Sequence, residues 1–279
     1  MKFYNLYNYY ADYLGGGSIE PDEINYIIDI IGNVSDYFFH KNINFYLTND
    51  PNSRFETENN VVFLSNESTN RLNCDNFLLS FCNFFRTSED QRYKQFPLGL
   101  NKFINKKLKS GIEVKKFSDR KYQCFFAGFI HPSRYEFKRS IEKLPKENNF
   151  FHFASGNNLQ TFENNLNPET YSETACNSKI MLCPVGGIHL ASYRYFESIY
   201  YKNIPIYVRI ENQKAFFEDE NPIAIKLNNW NDLNQELIDE AIYKFSEKEK
   251  AFEEFFRNKM SKVAITEYII NEIKKVLVD

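Results

Sequence analysis

The sequence has no excess of basic residues and no long apolar run, and each absence excludes a class of protein. Its 279 residues carry 34 Lys and Arg against 37 Asp and Glu, a net charge of −3, which argues against bulk nucleic acid as the main partner. No run approaches the roughly 18 apolar residues of a membrane span, and the N-terminal residues lack the apolar core of a signal peptide. We therefore expect a cytoplasmic protein with no integral membrane segment, for which peripheral association with the inner face of a membrane stays open.

Cysteine motifs are also missing. The five cysteines are an odd number with no Cys-x-x-Cys pair, and no histidine accompanies them at metal-ligand spacing. Most lie within apolar segments, where a buried thiol behaves as a small hydrophobic side chain, so we expect free thiols in a reducing compartment. The chain also has no Gly-x-Gly-x-x-Gly motif, no Walker lysine and no Gly-x-Ser-x-Gly nucleophile elbow.

Glycine is scarce, with 10 residues, whereas phenylalanine and tyrosine are abundant, with 28 and 19. We therefore expect cores that are rich in aromatic side chains, and glycines only where the backbone geometry requires them. A chain of this length can form two domains, each with a core of its own.

The first hundred residues predict a domain of the α/β class. Apolar runs that indicate strands cover residues 2–6, 43–48, 61–64 and 77–85. A helix is predicted from Pro21 or the residue after it, whereas residues 86–95 are charged and are assigned no strand. Glu67 closely follows the third strand, at the end of the sheet where ligand crevices lie in open α/β folds.

Residues 101–120 contain seven Lys and Arg and few apolar side chains, which predicts a linker between two domains, a solvated stretch being the simplest interpretation. The second half opens with a predicted strand at residues 122–127, a glycine and a helix. Such a connection offers free backbone N–H groups to an anion. The residues of it that we expect to line a crevice are Gly128, His131, Ser133 and Arg134.

Residues 178–208 are typical of a strand, a glycine loop, a helix and a second strand. The apolar run at residues 180–183 is stopped by a proline, and Gly186 and Gly187 then allow a turn where side chains would clash. Ser192 can cap the helix that follows. The unit implies a parallel sheet, because two parallel strands need such a crossover.

Two charged residues of this helix, Arg194 and Glu197, lie on neighbouring positions of one face. The helix N-terminus carries a partial positive charge that suits a phosphate, and Arg194 would strengthen such a site. Glu197 could accept two hydrogen bonds from a vicinal diol such as a ribose. The alternative is an ordinary Arg–Glu pair on a solvated helix, which would contribute little.

Taken whole, this segment resembles the C-terminal signature of exostosin-like glycosyltransferases: an apolar strand ending in Cys-Pro, a glycine loop, Ser-Tyr-Arg-Tyr-Phe-Glu and a strand entered through Ile-Pro. The resemblance covers residues 122–227, and over residues 1–120 it is architectural only. One departure is Lys202-Asn203, which stands where the family usually has a glycine; asparagine tolerates the left-handed conformation that such a helix end needs.

The resemblance implies a GT-B fold, in which two Rossmann-like α/β domains face each other across a cleft and a C-terminal helix returns to the first domain. We accordingly place an acceptor-side domain at residues 1–105, a linker at 106–120, a nucleotide-sugar-binding domain at 121–260 and the returning helix at 261–279. It also implies a glycosyltransferase that moves a sugar from a nucleoside-diphosphate sugar to a hydroxyl group of a glycan or glycolipid acceptor, in surface glycan assembly.

The same resemblance assigns the donor to the second domain. The family's donor helix carries Ser192, Arg194 and Glu197 over to this chain, and its arginine near the start of an earlier helix is matched by Arg134 in preference to Arg139. The expected donor-binding residues are Gly128, Arg134, Gly187, His189, Ser192, Arg194 and Glu197. Because cations and helix N-termini can stabilise the leaving diphosphate, we expect no metal and no cofactor, and the chain has no Asp-x-Asp motif.

An inverting transfer also needs a general base for the acceptor hydroxyl. Glu67 is our candidate, with Asp12 and Asp50 in reserve, although Glu67 could equally be a plain loop acid. His189, in the glycine loop, is either a donor contact or a loop histidine with one backbone hydrogen bond.

Two other functions stay open. Bacterial fucosyltransferases of the same fold also place a glutamate after such a strand and Ile-Pro-Ile-Tyr after the donor helix, which makes GDP-fucose an alternative donor. This chain has Tyr-Arg-Tyr-Phe-Glu where they have Tyr-Val-Thr-Glu-Lys. The other alternative is a non-catalytic module of this fold that binds a nucleotide or a partner protein.

Overall fold

The computed structural model describes residues 2–7, 21–55, 59–65, 71–83, 90–98, 104, 107, 109–154, 166–185 and 193–277. Within these ranges the chain forms two compact units, each with a parallel sheet of five strands, which confirms the predicted α/β class with two parallel-sheet domains. The first unit comprises Met1–Gly99, Asn212–Phe217 and Glu254–Asp279, and the second comprises Leu100–Glu211 and Glu218–Glu253. Nothing in the sequence pattern indicated that Asn212–Phe217 belongs with the first unit.

The strands of the first sheet are β1 (Lys2–Asn5), β2 (Asn44–Thr48), β3 (Asn60–Leu64), β4 (Leu79–Cys82) and β5 (Tyr93–Gln95). Those of the second are β6 (Tyr122–Phe129), β7 (Asn149–Ala154), β8 (Ser178–Leu182), β9 (Ile204–Val208) and β10 (Ile225–Leu227). The α-helices that lie wholly within the described ranges are α1 (Pro21–Tyr37), α2 (Tyr135–Ile141), α3 (Pro168–Cys176), α4 (Tyr193–Tyr200), α5 (Gln235–Phe255) and α6 (Lys262–Leu277). Short 3-10 turns precede α2 and α5, and a π-helical turn at Phe256–Met260 separates α5 from α6.

The strands of the first sheet lie side by side in chain order, and alternating side chains cover its two faces. On one face Phe63 stacks on Phe81 with ring centroids 5.1 Å apart, and Phe81 meets Tyr268 of α6 edge-on at 6.4 Å. On the other face Tyr46 packs on Phe55 with centroids 4.7 Å apart. The helix that ends the sequence is therefore part of the core of the first unit.

Strand β5 has a polar sequence, so it shows no apolar run that would predict a strand. Tyr93 is buried, but Lys94 forms an ion pair with Glu272 at 3.2 Å and Gln95 Nε2 donates to a main-chain carbonyl at 2.7 Å. An edge strand whose polar side chains find such partners shows no apolar run. The assignment of this stretch to no strand was therefore wrong.

The strands of the second sheet have the order β10-β9-β8-β6-β7, and all pairs are parallel. The chain passes from β6 outward to β7 and then returns past β6 to β8, so the connections leave the β6–β8 pair in opposite directions. In open α/β sheets such a reversal opens a crevice outside the carboxyl ends of the two strands. The ends of β6 and β8 are therefore the expected place for a ligand.

Helices cover both faces of the second sheet. Phe125 and Phe126 are successive residues of β6 and point to opposite faces. Phe126 meets Phe137 of α2 edge-on with centroids 4.7 Å apart, and Phe125 meets Tyr171 of α3 edge-on at 5.0 Å. The second unit is thus doubly wound, with α2 and α3 on opposite sides of β6.

The end of α4 differs from the predicted turn. Lys202, and not Asn203, has the left-handed conformation, with a φ of 56°. Asn203 is buried, and its side-chain amide donates to the main-chain carbonyl of Ala175 at 3.0 Å. The asparagine therefore ties the start of β9 to the end of α3, while a lysine takes the left-handed position.

The predicted linker ends in a buried arginine. Arg120 Nη1 donates to the main-chain carbonyls of Ser178 at 2.9 Å and Lys202 at 2.7 Å. Burial lowers the pKa of this guanidinium to about 10. The charged stretch is therefore anchored to the second unit at its end, and not solvated throughout.

All five cysteines are free thiols, and four of them are buried. Burial raises the pKa of Cys82 and of Cys176 to about 11, so these thiols stay protonated and unreactive at neutral pH. Among the helices of the described ranges, none is both long and apolar enough to span a bilayer.

Candidate functional site

Arg134 joins the carboxyl ends of β6 and β8. A 3-10 turn at Pro132–Arg134 directs its side chain into the crevice outside the carboxyl ends of β6 and β8, here called the switch crevice. Only 7% of the residue is exposed there. Its Nη1 donates to the Phe129 carbonyl and its Nε to the Val185 carbonyl, both at 2.8 Å. The arginine favoured from the sequence is therefore held at the predicted end of the sheet.

Arg194 reaches the same place from the other side of the crevice. It is the second residue of α4, and its Nη2 donates to the main-chain carbonyl of Ala127 in β6 at 2.7 Å. The guanidinium carbon lies 5.0 Å from the ring centroid of Phe126, a cation–π contact. Its Nε is buried and has no hydrogen-bond partner among the described residues.

Gly128 makes room for this guanidinium. Its φ of 154° is a conformation that residues with a side chain rarely adopt. A Cβ at this position would lie 2.1 Å from Arg194 Nη2 and 3.1 Å from Arg194 Cζ. The glycine predicted from the sequence is thus adjacent to the predicted arginine, for a steric as well as a conformational reason.

No acid among the described residues forms an ion pair with Arg134 or Arg194. Burial, and after it the charge of Arg194, lower the pKa of Arg134 to about 9. All their side-chain hydrogen bonds within the described ranges go to main-chain carbonyls, and neither forms an ion pair with a described carboxylate. Two neighbouring cations that no described acid neutralises attract an anion, most strongly one with two charges.

His131 lies beside the arginines. Its Nδ1 is 2.8 Å from Ser133 Oγ, and its ring stacks loosely on Phe129 with centroids 6.4 Å apart. Burial, and then the charges of Arg134 and Arg194, lower the pKa of this imidazole. The ring therefore favours its neutral form in the free protein.

Glu197 follows one turn after Arg194 but contacts a different element. It is 2% exposed, and its Oε2 accepts a hydrogen bond from the hydroxyl of Tyr171 in α3 at 2.5 Å. Burial, and then the neighbouring carboxylate, hold the pKa of Tyr171 well above its usual range. Sequence reasoning missed Tyr171, because a partner 26 residues away leaves no local pattern.

The other predicted residues lie outside the described ranges, apart from the reserve base Asp50. Glu67, Gly187, His189, Ser192 and Asp12 lie outside the described residues. The reserve base, Asp50, accepts hydrogen bonds on Oδ1 from the backbone and side-chain nitrogens of Asn52 at 2.8 and 3.1 Å, so its carboxylate shapes a turn after β2. In the described part of the chain, no group of three or more His, Cys, Asp and Glu side chains is arranged to hold a metal ion.

Comparisons with known proteins found one matching family and similar solved structures. The family described as RXYLT1 C-terminal domain matches residues 102–277. No curated protein matches the chain. Among solved structures, the crystal structure of WaaG, a glycosyltransferase involved in lipopolysaccharide biosynthesis, is similar at 12% identity over 98% of this chain and 99% of that chain, with a TM-score of 0.43.

Proposed function

The chain belongs to the RXYLT1 C-terminal domain family, a family related to glycosyltransferases, and we propose that it transfers a sugar from a nucleoside-diphosphate sugar to a hydroxyl group of a glycan or glycolipid acceptor. The observation that carries the proposal is the pair of guanidinium groups, Arg134 and Arg194, at the switch crevice of the second sheet, with which no described acid forms an ion pair. The narrower resemblance to exostosin-like enzymes stays a prediction.

The donor's diphosphate is the group that fits this pair. When the glycosidic bond to the donor breaks, negative charge grows on the leaving diphosphate, and fixed cations stabilise that charge most when they need not reorganise. Main-chain carbonyls fix both guanidinium groups in advance. Arg194 also lies in the first turn of α4, where it adds to the partial positive charge of the helix N-terminus.

The proposed mechanism is metal-independent and inverting. The two guanidinium groups supply the positive charge that a divalent cation supplies in other transferases. Glu197 accepts hydrogen bonds from the ribose of the donor, and Glu67 removes the proton from the acceptor hydroxyl as that oxygen attacks the anomeric carbon. The nucleoside diphosphate then leaves with the electrons of the broken bond.

Ligand binding to the intact chain tests the proposal. Nucleoside diphosphates should raise Tm, nucleoside monophosphates should raise it less and nucleosides not at all; at 100 times Kd a ligand stabilises by about 2.7 kcal/mol. The panel contains uridine, guanosine, CMP, UDP, GDP and pyrophosphate, together with UDP-sugars and GDP-fucose. Binding should weaken as salt is added, because exposed phosphate contacts are screened.

The panel also separates the alternatives. A shift specific to GDP and GDP-fucose would favour the fucosyltransferase-like enzyme. Binding without any hydrolysis or transfer of the donor would favour a non-catalytic module. Folded protein that binds no nucleotide and no pyrophosphate would contradict the donor site altogether.

His131 should take up a proton when a diphosphate binds. Its pKa is lowered in the free protein by burial and by Arg134 and Arg194, and a bound anion offsets both charges, so the pKa should rise towards or above its unfolded value of about 6.5. Binding should therefore tighten as the pH falls from 7 to 6. An NMR titration of the imidazole with and without pyrophosphate measures this, with His131→Asn to assign the signal.

The sign of the effect on stability follows from the same shift. Because the folded pKa is below the unfolded one, the unfolded chain binds more protons, and the free protein loses stability as the pH falls through the unfolded value towards the folded one. Pyrophosphate should reduce that loss. An imidazole whose pKa is the same with and without ligand would contradict the placement of the anion beside His131.

A further inference from the structure

A buried hydrogen bond joins α3 to α4, one helical turn along α4 from Arg194. The hydroxyl of Tyr171 donates to Glu197 Oε2 at 2.5 Å, and the two residues are 4% and 2% exposed. A short bond from a neutral hydroxyl to a carboxylate is charge-assisted and stronger than an ordinary neutral one. Burying a carboxylate costs free energy unless it is hydrogen-bonded, so this bond stabilises Glu197 in its buried position.

The donor of this bond is itself held in place. The ring of Tyr171 meets Phe125 of β6 edge-on with centroids 5.0 Å apart and lies 6.5 Å from the ring of Tyr201. Its helix begins at a capped residue, since the side chain of Asn167 accepts from the Thr170 N–H at 2.8 Å. The hydroxyl therefore has little freedom to follow a carboxylate that turns away.

Holding one oxygen fixes the direction of the other. A carboxylate can rotate about the bond to its side chain, and each oxygen can accept two hydrogen bonds. The hydrogen bond from Tyr171 to Oε2 restricts this rotation, so the plane of the carboxylate is fixed relative to α3.

We propose that Tyr171 is a positioning residue of the donor site, which orients the Glu197 carboxylate towards the ribose hydroxyls of a nucleoside diphosphate. The inference rests on the proposed function, because it assigns the ribose to Glu197. Arg194, one turn earlier on α4, then holds the diphosphate of the same ligand.

Affinity for the ribose hydroxyl, and not overall affinity, is the quantity to measure. Calorimetry compares a nucleoside diphosphate, its 2′-deoxy form and pyrophosphate, for both the UDP and the GDP series. We expect wild-type protein to prefer the ribose form by about tenfold, as one hydrogen bond to a charged acceptor allows. In Tyr171→Phe the preference should fall to about twofold, with the Kd for pyrophosphate unchanged.

The chain offers a matched control. Tyr201 directly follows α4, and its hydroxyl lies 2.9 Å from Ser172 Oγ, so Tyr201→Phe removes a buried hydroxyl from the same helix pair without removing the bond to Glu197. Both variants should lose a few degrees of Tm, but Tyr201→Phe should keep the preference for ribose. Should Tyr171→Phe fold poorly, Tyr171→Leu, which also lacks the hydroxyl and is smaller than tyrosine, replaces it.

The outcomes separate the two proposals. A ribose preference that survives in Tyr171→Phe, or one that falls equally in both variants, overturns the positioning role and leaves the donor site intact. Wild-type protein that binds nucleoside diphosphates without any ribose preference overturns it as well. Wild-type protein that binds neither nucleotide nor pyrophosphate overturns the proposed function, and the inference with it.

Discussion

Replacing Arg194 by alanine should lower kcat/KM for the donor, and the affinity for nucleoside diphosphates, by about 100-fold, the usual cost of removing one fixed donor to a developing anion. The variant removes one of two cations that no described acid neutralises. It also vacates the space above Gly128 and removes the hydrogen bond from Arg194 to the Ala127 carbonyl. Kinetics with the donor that the ligand panel identifies, and calorimetry with the nucleoside diphosphate, measure the two losses.

Two further variants distinguish charge from geometry. Arg194→Lys keeps the charge but cannot reproduce a planar guanidinium between a carbonyl and an aromatic ring, so it should recover only part of the affinity. Arg139→Ala removes an exposed arginine of α2 and should change neither quantity. An Arg194→Ala protein that binds nucleoside diphosphates as tightly as wild type would exclude Arg194 from the donor site.

The sequence located Arg194 but could not say what it contacts. Helical spacing put Arg194 and Glu197 on one face, and the structure gives them different partners: a β6 carbonyl for the first and a buried tyrosine of α3 for the second. The carbonyl belongs to Ala127, 67 residues away. Every residue has a carbonyl, so a hydrogen bond to the main chain leaves no mark in the identity of its acceptor.

The same reason explains why the burial of two arginines was not predicted from the sequence. From the sequence, Arg120 was interpreted as a linker cation and Arg134 as a crevice residue that binds the donor. The burial of neither was predicted, because arginine is rarely buried unless it is paired. In the structure main-chain carbonyls at strand ends accept from both of them. Which carbonyls are available depends on the order of the strands, and only the folded sheet provides that order.

Strand existence was easier to predict than strand order. Buried central strands such as β3 and β8 are largely apolar, with unbroken apolar runs at residues 61–64 and 180–182, so a short hydrophobic run identifies them. Edge strand β5 is not, and it was missed. The reversal between β6 and β8, which creates the crevice, follows from pairing between distant segments and has no local sequence signal.

Gly128 is the position where a single methyl group should do most harm to the site. Gly128→Ala places a Cβ 2.1 Å from Arg194 Nη2 and imposes a side chain on a φ of 154°. We expect a loss of about 1–3 kcal/mol in the free energy of unfolding from the backbone strain, measured by urea denaturation. Because the guanidinium must also move, the affinity for nucleoside diphosphates should fall by about tenfold or more.

Gly111→Ala and a double variant separate strain from displacement. Gly111 has a φ of 68°, yet no described atom lies within 4 Å of where its Cβ would be, so its substitution should cost stability and leave affinity unchanged. In Gly128→Ala combined with Arg194→Ala, the clash is absent and the arginine already lost, so the two losses of affinity should not add. Fully additive losses would mean that Gly128 acts on the ligand by a route other than Arg194, and an unchanged affinity in Gly128→Ala alone would contradict the steric role assigned to this glycine.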